Sequence, residues 1–527
     1  MKIKTLTAAL ACALPVTGAF AAALDRSGQS ISAFLQPNNY AEAGISILAA
    51  TVEGQEAGES ATTREIDDMA KDYVFGSAAI KVQPTSKFSF GILYDQPFGA
   101  DAKYTGQNIF VSSDTDTFLG ADELEAIAAG AIASNVAAIL PGQVQSALDA
   151  NLDNAVNAQI SQLAQQAIAA GELNGNPIPA GTPASIVESL IRANALEQIE
   201  AGVTSAITQQ VTQAVTAAVT EQVEAGLDDV NGLLGTGATN VKVKTENLSF
   251  LFGFQPTENW NFYAGPVFQQ LEGEVSLRGQ AYSLYNGYDA TIGKENGWGW
   301  MAGMAYQIPE IALKASVTYR SEIDYDANVI ESIPTLSALS LLGQEALAAD
   351  IAAASGQTEI TTPQSVNLDL QSGIMANTVA FAQIRWVDWS NFSIRPYKFG
   401  LVSEAVGPLV QRPNGFNLVD YSDDQISANV GIGRKLNDLW SGSVSVGWDS
   451  GAGNPVSTLG PTEGYWNVGL GVQYSPAPNY FIQGGAKYFW LGDAQAQTGA
   501  QSGGDEYVAE FEDNTAIAYG LKLGYRF

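Results

Sequence analysis

Over the last eleven positions apolar residues alternate with small or polar ones. Ile517, Tyr519, Leu521, Leu523, Tyr525 and Phe527 fall on one side, and Ala518, Gly520, Lys522, Gly524 and Arg526 on the other. A period of two is the side-chain period of a β-strand. The same alternation sets Trp466, Val468, Leu470, Val472 and Tyr474 against Asn467, Gly469, Gly471, Gln473 and Ser475, and Ile426, Ala428, Val430 and Ile432 against Ser427, Asn429, Gly431 and Gly433. The second set discriminates between two architectures. A sandwich hides an apolar face and shows a richly charged one, whereas a transmembrane barrel turns its apolar face to lipid and lines its lumen with Gly, Ser, Asn and Gln. The pattern here is the barrel's. Aromatics near strand ends, Trp440, Trp448, Trp466, Tyr474, Trp490, Tyr525 and Phe527, fit interfacial girdles.

Segments of this kind occupy 41–53, 73–83, 88–98, 241–255, 260–276, 295–307, 311–324, 361–372, 377–391, 425–434, 439–449, 464–475, 480–491 and 513–527. They predict an all-β transmembrane barrel of fourteen antiparallel strands. The connections alternate in length. Those at 83–87, 255–259, 308–310, 435–438 and 475–479 are short, and the others run from about a dozen residues to over a hundred. Short turns on one side and long loops on the other place the long ones outside the cell and both termini in the periplasm.

The block 118–236 breaks the period. Val144, Leu148, Leu152, Val156, Ile160, Ala164 and Ile168 recur every fourth residue, as do Ile199, Val203, Ile207, Val211, Val215, Val219, Val223 and Leu227. Both runs predict helices. Between them 171–183, with Gly-Asn-Pro-Ile-Pro and Gly-Thr-Pro, forbids a continuous helix, so an antiparallel hairpin is expected, Val144–Ile168 facing Ile199–Leu227. It follows the third strand and is therefore expected on the extracellular side.

Composition narrows the chemistry. The 527 residues hold 24 Lys plus Arg against 55 Asp plus Glu, a net charge of −31, with no histidine and a single cysteine, Cys12. Without histidine there is no Ser-His-Asp or Cys-His nucleophile and no His-ligated metal, and one cysteine makes neither a disulfide nor a CxxC site. No enzyme, metal or cofactor is expected. The acidic balance excludes a phosphate-binding stripe, so no nucleic-acid partner is expected either. Lys2 and Lys4, the apolar Leu6–Val16 and Ala19-Phe20-Ala21-Ala22-Ala23 form a secretory signal peptide over 1–23.

The third strand reads Phe90-Gly91-Ile92-Leu93-Tyr94-Asp95-Gln96-Pro97-Phe98-Gly99, the ninth ends in Asp388-Trp389-Ser390-Asn391-Phe392, and the last in Gly520-Leu521-Lys522-Leu523-Gly524-Tyr525-Arg526-Phe527. With fourteen strands and a short segment before the first, the chain resembles the FadL family of outer-membrane transporters for long-chain fatty acids and other hydrophobic compounds. The likeness covers 24–117 and 237–527; the helical block is outside it. The resemblance implies an outer-membrane barrel of a Gram-negative bacterium, plugged by an N-terminal hatch, with a hydrophobic ligand captured by extracellular loops and released sideways into the bilayer at a kinked third strand. The expected partition is hatch 24–40, strands one to three and the start of the following loop over 41–117, helical insertion 118–236 and strands four to fourteen over 237–527. The family hatch often carries Asn-Pro-Ala, where Phe34-Leu35-Gln36-Pro37-Asn38-Asn39-Tyr40 stands here.

Pro97 lacks the N–H a ladder needs, and Gly91 and Gly99 supply no side chain to the wall, so these three are the candidate lateral gate. Tyr282, Tyr285, Ile333, Leu336, Leu339 and Leu342 are candidate capture residues on the extracellular loops, since aliphatic and aromatic surface outside the cell needs a purpose. Strand parity turns Lys314, Arg320 and Arg385 inward; with Arg278 at the rim and Arg395 they are the candidate basic contacts to a ligand carboxylate. Alkanes or monoaromatics, which need no such contact, are the alternative cargo. A third reading makes the barrel an anchor for an adhesin that self-associates through the hairpin. Outer-membrane lipid is an expected partner, as is the barrel-assembly machinery, whose client signal Phe527 resembles.

Overall fold

A computed structural model describes residues 24–112, 121–231, 236–341 and 344–527. The signal peptide expectation, with Cys12, and candidate Leu342 lie outside the described residues. Two compact units emerge: 24–112 with 236–336 and 349–527, and 121–231 with 337–341 and 344–348.

The first unit is a closed antiparallel barrel of fourteen strands. These are β1 (Tyr40–Thr51), β2 (Tyr73–Val82), β3 (Phe88–Asp95), β4 (Asn240–Phe254), β5 (Trp260–Ser276), β6 (Asp289–Ile308), β7 (Leu313–Arg320), β8 (Ser365–Met375), β9 (Thr378–Val387), β10 (Gln425–Lys435), β11 (Trp440–Asp449), β12 (Tyr465–Ala477), β13 (Tyr480–Leu491) and β14 (Thr515–Arg526). Each strand pairs with its sequence neighbours. The barrel closes where β1 meets β14, from Tyr40↔Arg526 to Thr51↔Thr515. Closure leaves no free edge, as hydrocarbon demands.

Burial follows the alternation. Val430, Val472, Leu470 and Leu521 are exposed, while Ser445, Asn467, Gln473 and Gln483 on the opposite pleats are buried in the lumen. Apolar residues outside and amides inside are stable only if lipid surrounds the barrel. Trp440 and Tyr474 meet with ring centroids 4.7 Å apart, and Tyr525 stacks on Phe527, at strand ends as girdles require.

The hatch, Leu24 to Asn39, sits inside the barrel. Phe34, Ile31 and Leu35 pack with Leu93, Leu251, Tyr263, Val267 and Met301. Polar barrel groups fix its main chain: Lys81 Nζ donates to the Gln36 carbonyl, Lys314 Nζ to Leu35, Asn367 Nδ2 to Gly28 and Arg320 to Gln29. Arg385 Nε donates to Asp25 Oδ2 at 2.5 Å, with both side chains buried.

The second unit is a helical hairpin of α1 (Ala121–Ala170) and α2 (Ala184–Asn231). Fifty residues at 1.5 Å rise give α1 a length of about 75 Å. Gly171, Gly175 and Gly181 take positive φ in the turn. Val156, Ile160, Ala164 and Ala167 pack with Val187 and Ile191, and Ala131 with Val219 and Val223, so the arms are antiparallel. The expected register is corrected. Val144–Ile168 does not face Ile199–Leu227 along its length: the first helix begins at Ala121 and the second at Ala184, and the far end of α2 pairs with the start of α1. Pro141 lies within α1, which begins well before the arm expected from Val144.

Candidate functional site

The third strand is where the wall changes. β3 pairs with β2 from Val82↔Phe90 to Ala78↔Tyr94, and there that ladder stops. Contact between the two chains resumes at Ala70↔Ala102 and in the hydrogen bond from Lys71 N to Asp101 O. On its other side the chain stays with β4, first as β3 to Asp95↔Asn247 and then as Gly99–Lys103 opposite Asn240–Lys244. Gln96, Pro97 and Phe98 thus stand against Thr245 and Glu246, one residue too many, and the strand kinks as a bulge does. The third strand, expected over 88–98 with its pairing failing around Pro97 and Gly99, ends its first segment at Asp95.

The hatch takes up the bonds that the kink sets free. Arg26 N donates to the Pro97 carbonyl at 2.6 Å, and Gly99 N to the Leu24 carbonyl at 2.8 Å. Gly99 faces the ring of Tyr73, which a Cβ there would overlap. Gly91 is different. It pairs with both Lys81 and Leu251, below the break, and a Cβ at Gly91 would stand 2.6 Å from the Phe34 ring. Pro97 and Gly99 therefore lie at the interruption, whereas Gly91 is a seat for the hatch.

Directly beside the interruption is an apolar cavity of about 110 Å³. Leu48, Val52, Val241, Val243, Ile292 and Leu459 contribute to its walls, Lys71, Tyr73 and Asp101 bring it to the break, and Arg26 and Tyr421 also line it. Arg26 is the hatch's cation. Burial lowers its pKa from the ordinary arginine value, an effect the fields of Tyr73, Tyr421 and Asp25 oppose, and arginine keeps its charge through such a shift. The sequence reading missed it, although one cation in a sixteen-residue plug otherwise free of them was a signal.

The basic candidates go elsewhere. Lys314, Arg320 and Arg385 do point inward, and all three hold the hatch. Arg278 pairs with Asp289 at 2.9 Å, and Arg395 with Glu404 at 2.8 Å. The loop tyrosines hold loops together. Tyr282 donates to Thr458 Oγ1, and Tyr285 donates to the Phe399 carbonyl while stacking on that ring at 4.1 Å. Burial raises the pKa of both tyrosines above the ordinary value, so they stay neutral donors. Ile333 and Leu336 are half-buried in the barrel unit, and Leu339 is buried in the helical one.

The sequence matches the family described as "Outer membrane protein transport protein (OMPP1/FadL/TodX)" over residues 193–527. The chain belongs to this family. FadL/TodX proteins are outer-membrane transport channels for hydrophobic compounds and are not enzymes. The match takes in α2 from 193 onward, which corrects the expectation that the helical block lies wholly outside the likeness. No curated protein matches the chain. A Pseudomonas aeruginosa FadL homologue shares the fold, with a TM-score of 0.54 and 11% identity over 93% of this chain and 91% of that one. The chain is also similar to the Pseudomonas putida toluene transporter TodX (TM-score 0.48, 9% identity, 98% of this chain and 97% of that one) and to the Ralstonia pickettii toluene transporter TbuX (0.46, 9%, 97% and 98%).

Proposed function

We propose that this FadL/TodX channel takes up elongated hydrophobic acids, long-chain fatty acids above all, and releases them sideways into the bilayer at the third-strand kink. The observation that carries the reading is the apolar cavity with one buried guanidinium, opening on the interrupted ladder between β2 and the third strand. Apolar walls favour the chain by about 0.8 kcal/mol per buried CH₂, and the guanidinium offers a charge-assisted bond to a carboxylate. Tyr73 stands between the cavity and Gly99, so its ring is the flap the cargo displaces.

The test is uptake by cells that lack their own hydrophobic transporters. Arg26→Gln should lower uptake of a C16 fatty acid at least fivefold and leave uptake of an alkane of the same length unchanged. Equal effects on both cargoes would remove the carboxylate from the reading and favour a hydrocarbon channel, for which the mainly apolar lining of the cavity speaks. Gly99→Trp should block both cargoes with the barrel still assembled; undiminished uptake would end the lateral route.

A further inference from the structure

Among the described residues, the helical unit has two apolar cores and a middle in which no side chain is fully buried. One core gathers Val156, Ile160, Val187 and Ile191 with Leu152, Ile199 and Val203 beside them; the other gathers Ala131, Val219 and Val223 with Val136 and Val215. Between these lie Leu140, Val144, Leu148, Ile207 and Val211, all half-exposed, and Ile139, which is 43% exposed. The cause is geometric. At 100° per residue, a stripe repeating every fourth position advances about 40° around the helix at each step, so one straight partner cannot cover its whole length.

Charge singles out the same middle. Between 121 and 231 there are thirteen carboxylates and one cation, Arg192. Yet 126–148 of α1 and 201–220 of α2 contain no ionisable residue. Instead the second stretch carries Thr204, Thr208, Gln209, Gln210, Thr212, Gln213 and Thr216 among its alanines and valines. A solvated helix face ordinarily carries charges at i,i+4 spacing. Here the acids are kept to the flanks, where two copies repel, and away from the one stretch where they can touch. A cationic partner would find no carboxylate in this stretch to meet, and the acidic flanks disfavour a polyanion. The chemistry that fits an uncharged Thr/Gln/Ala/Val surface with half-exposed aliphatics is the same surface.

We propose that the helical hairpin pairs with that of a second copy of this chain through the uncharged middle of its two arms, closing a four-helix bundle at that level. Single cysteines test it in the full-length protein with Cys12→Ser, so that the introduced thiol is the only one. Oxidation in isolated outer membranes should give disulfide-linked dimers from Ile139→Cys, Gln209→Cys and Gln213→Cys, and at least fivefold less from Glu172→Cys and Glu224→Cys. Adding Gln210→Glu with Ala206→Glu, both on exposed positions that leave the seam intact, should cut the Gln213→Cys dimer at least tenfold. Absence of dimer at all three middle sites, equal dimer at the flanking sites, or trapping of a different outer-membrane component would each overturn the proposal.

Discussion

A methyl group at position 91 would press on the Phe34 ring from 2.6 Å, because the glycine's empty side is where the hatch inserts. Gly91→Ala should therefore cost about 1–3 kcal/mol of barrel stability as overpacking does. Phe34→Leu in the same chain should recover part of it, and urea unfolding of the folded protein in micelles reads both. Independent, additive losses would mean the two residues do not share this volume. Glu463 makes a second case, in the loop after β11. Burial raises its pKa to about 7, Asp423 adds to the rise, and the Gly453 N–H bonds its carboxyl from the other direction. An acid whose folded pKa exceeds its unfolded one stabilises fully below the unfolded value, near 4.5, and that stability is lost as pH rises through about 7. Protease nicking of 450–464 should then be slower at pH 5 than at pH 8, and Glu463→Gln should make the two rates equal. Strand parity was enough to turn Lys314, Arg320 and Arg385 inward. What they meet in the hatch was not legible, since those partners lie 279 to 360 positions away and no local pattern spans that distance.

At the level of elements, the hatch depends on a few buried polar contacts, among them the ion pair of Asp25 with Arg385. Arg385→Ala leaves a buried carboxylate without its partner, a loss of about 3–5 kcal/mol when one member of such a pair is removed. The expected result is a loosened plug in an intact barrel, seen as a larger ion conductance across planar bilayers. Asp25→Asn with Arg385→Gln, which removes both charges, should leak less than the single change. The alternation of outward apolar and inward small residues was sufficient to locate the fourteen strands, most of them to within two or three positions. At Gln96 to Phe98 the alternation alone carries on through the bulge, and it was Pro97, with no N–H for a ladder, that marked the break. The hairpin's register failed. A stripe every fourth residue predicts a helix without saying which turn of the neighbouring arm it meets, and alanines at the start of α1 conceal a core that valines in α2 complete.

On the scale of the whole molecule, the two long helices form one continuous insertion in the sequence. Val111 pairs with Ala238 and Ser112 with Gly237, so the insertion leaves and rejoins the barrel unit at neighbouring points. Replacing 113–236 by a four-residue Gly/Ser turn should yield a barrel that still shows heat-modifiable mobility on gels. Hydrophobic uptake should persist, because every residue lining the cavity belongs to the barrel unit, whereas cross-linking between copies should vanish. Loss of uptake in a correctly assembled deletion would instead give the hairpin a part in capture.

The junction of β1 with β14 also dictates an order of events. Twelve residue pairs join the first strand to the last, so this seam cannot be sewn until the intervening strands have been made and delivered. The hatch precedes β1 directly in the chain, yet it is bonded to β2, β7, β8 and β9. The plug is thus the first part of the barrel unit to be synthesised and among the last to find its partners. Until then Phe34, Ile31 and Leu35 lack the apolar partners they have in the finished barrel, and surface of that kind makes an unfinished chain prone to aggregate.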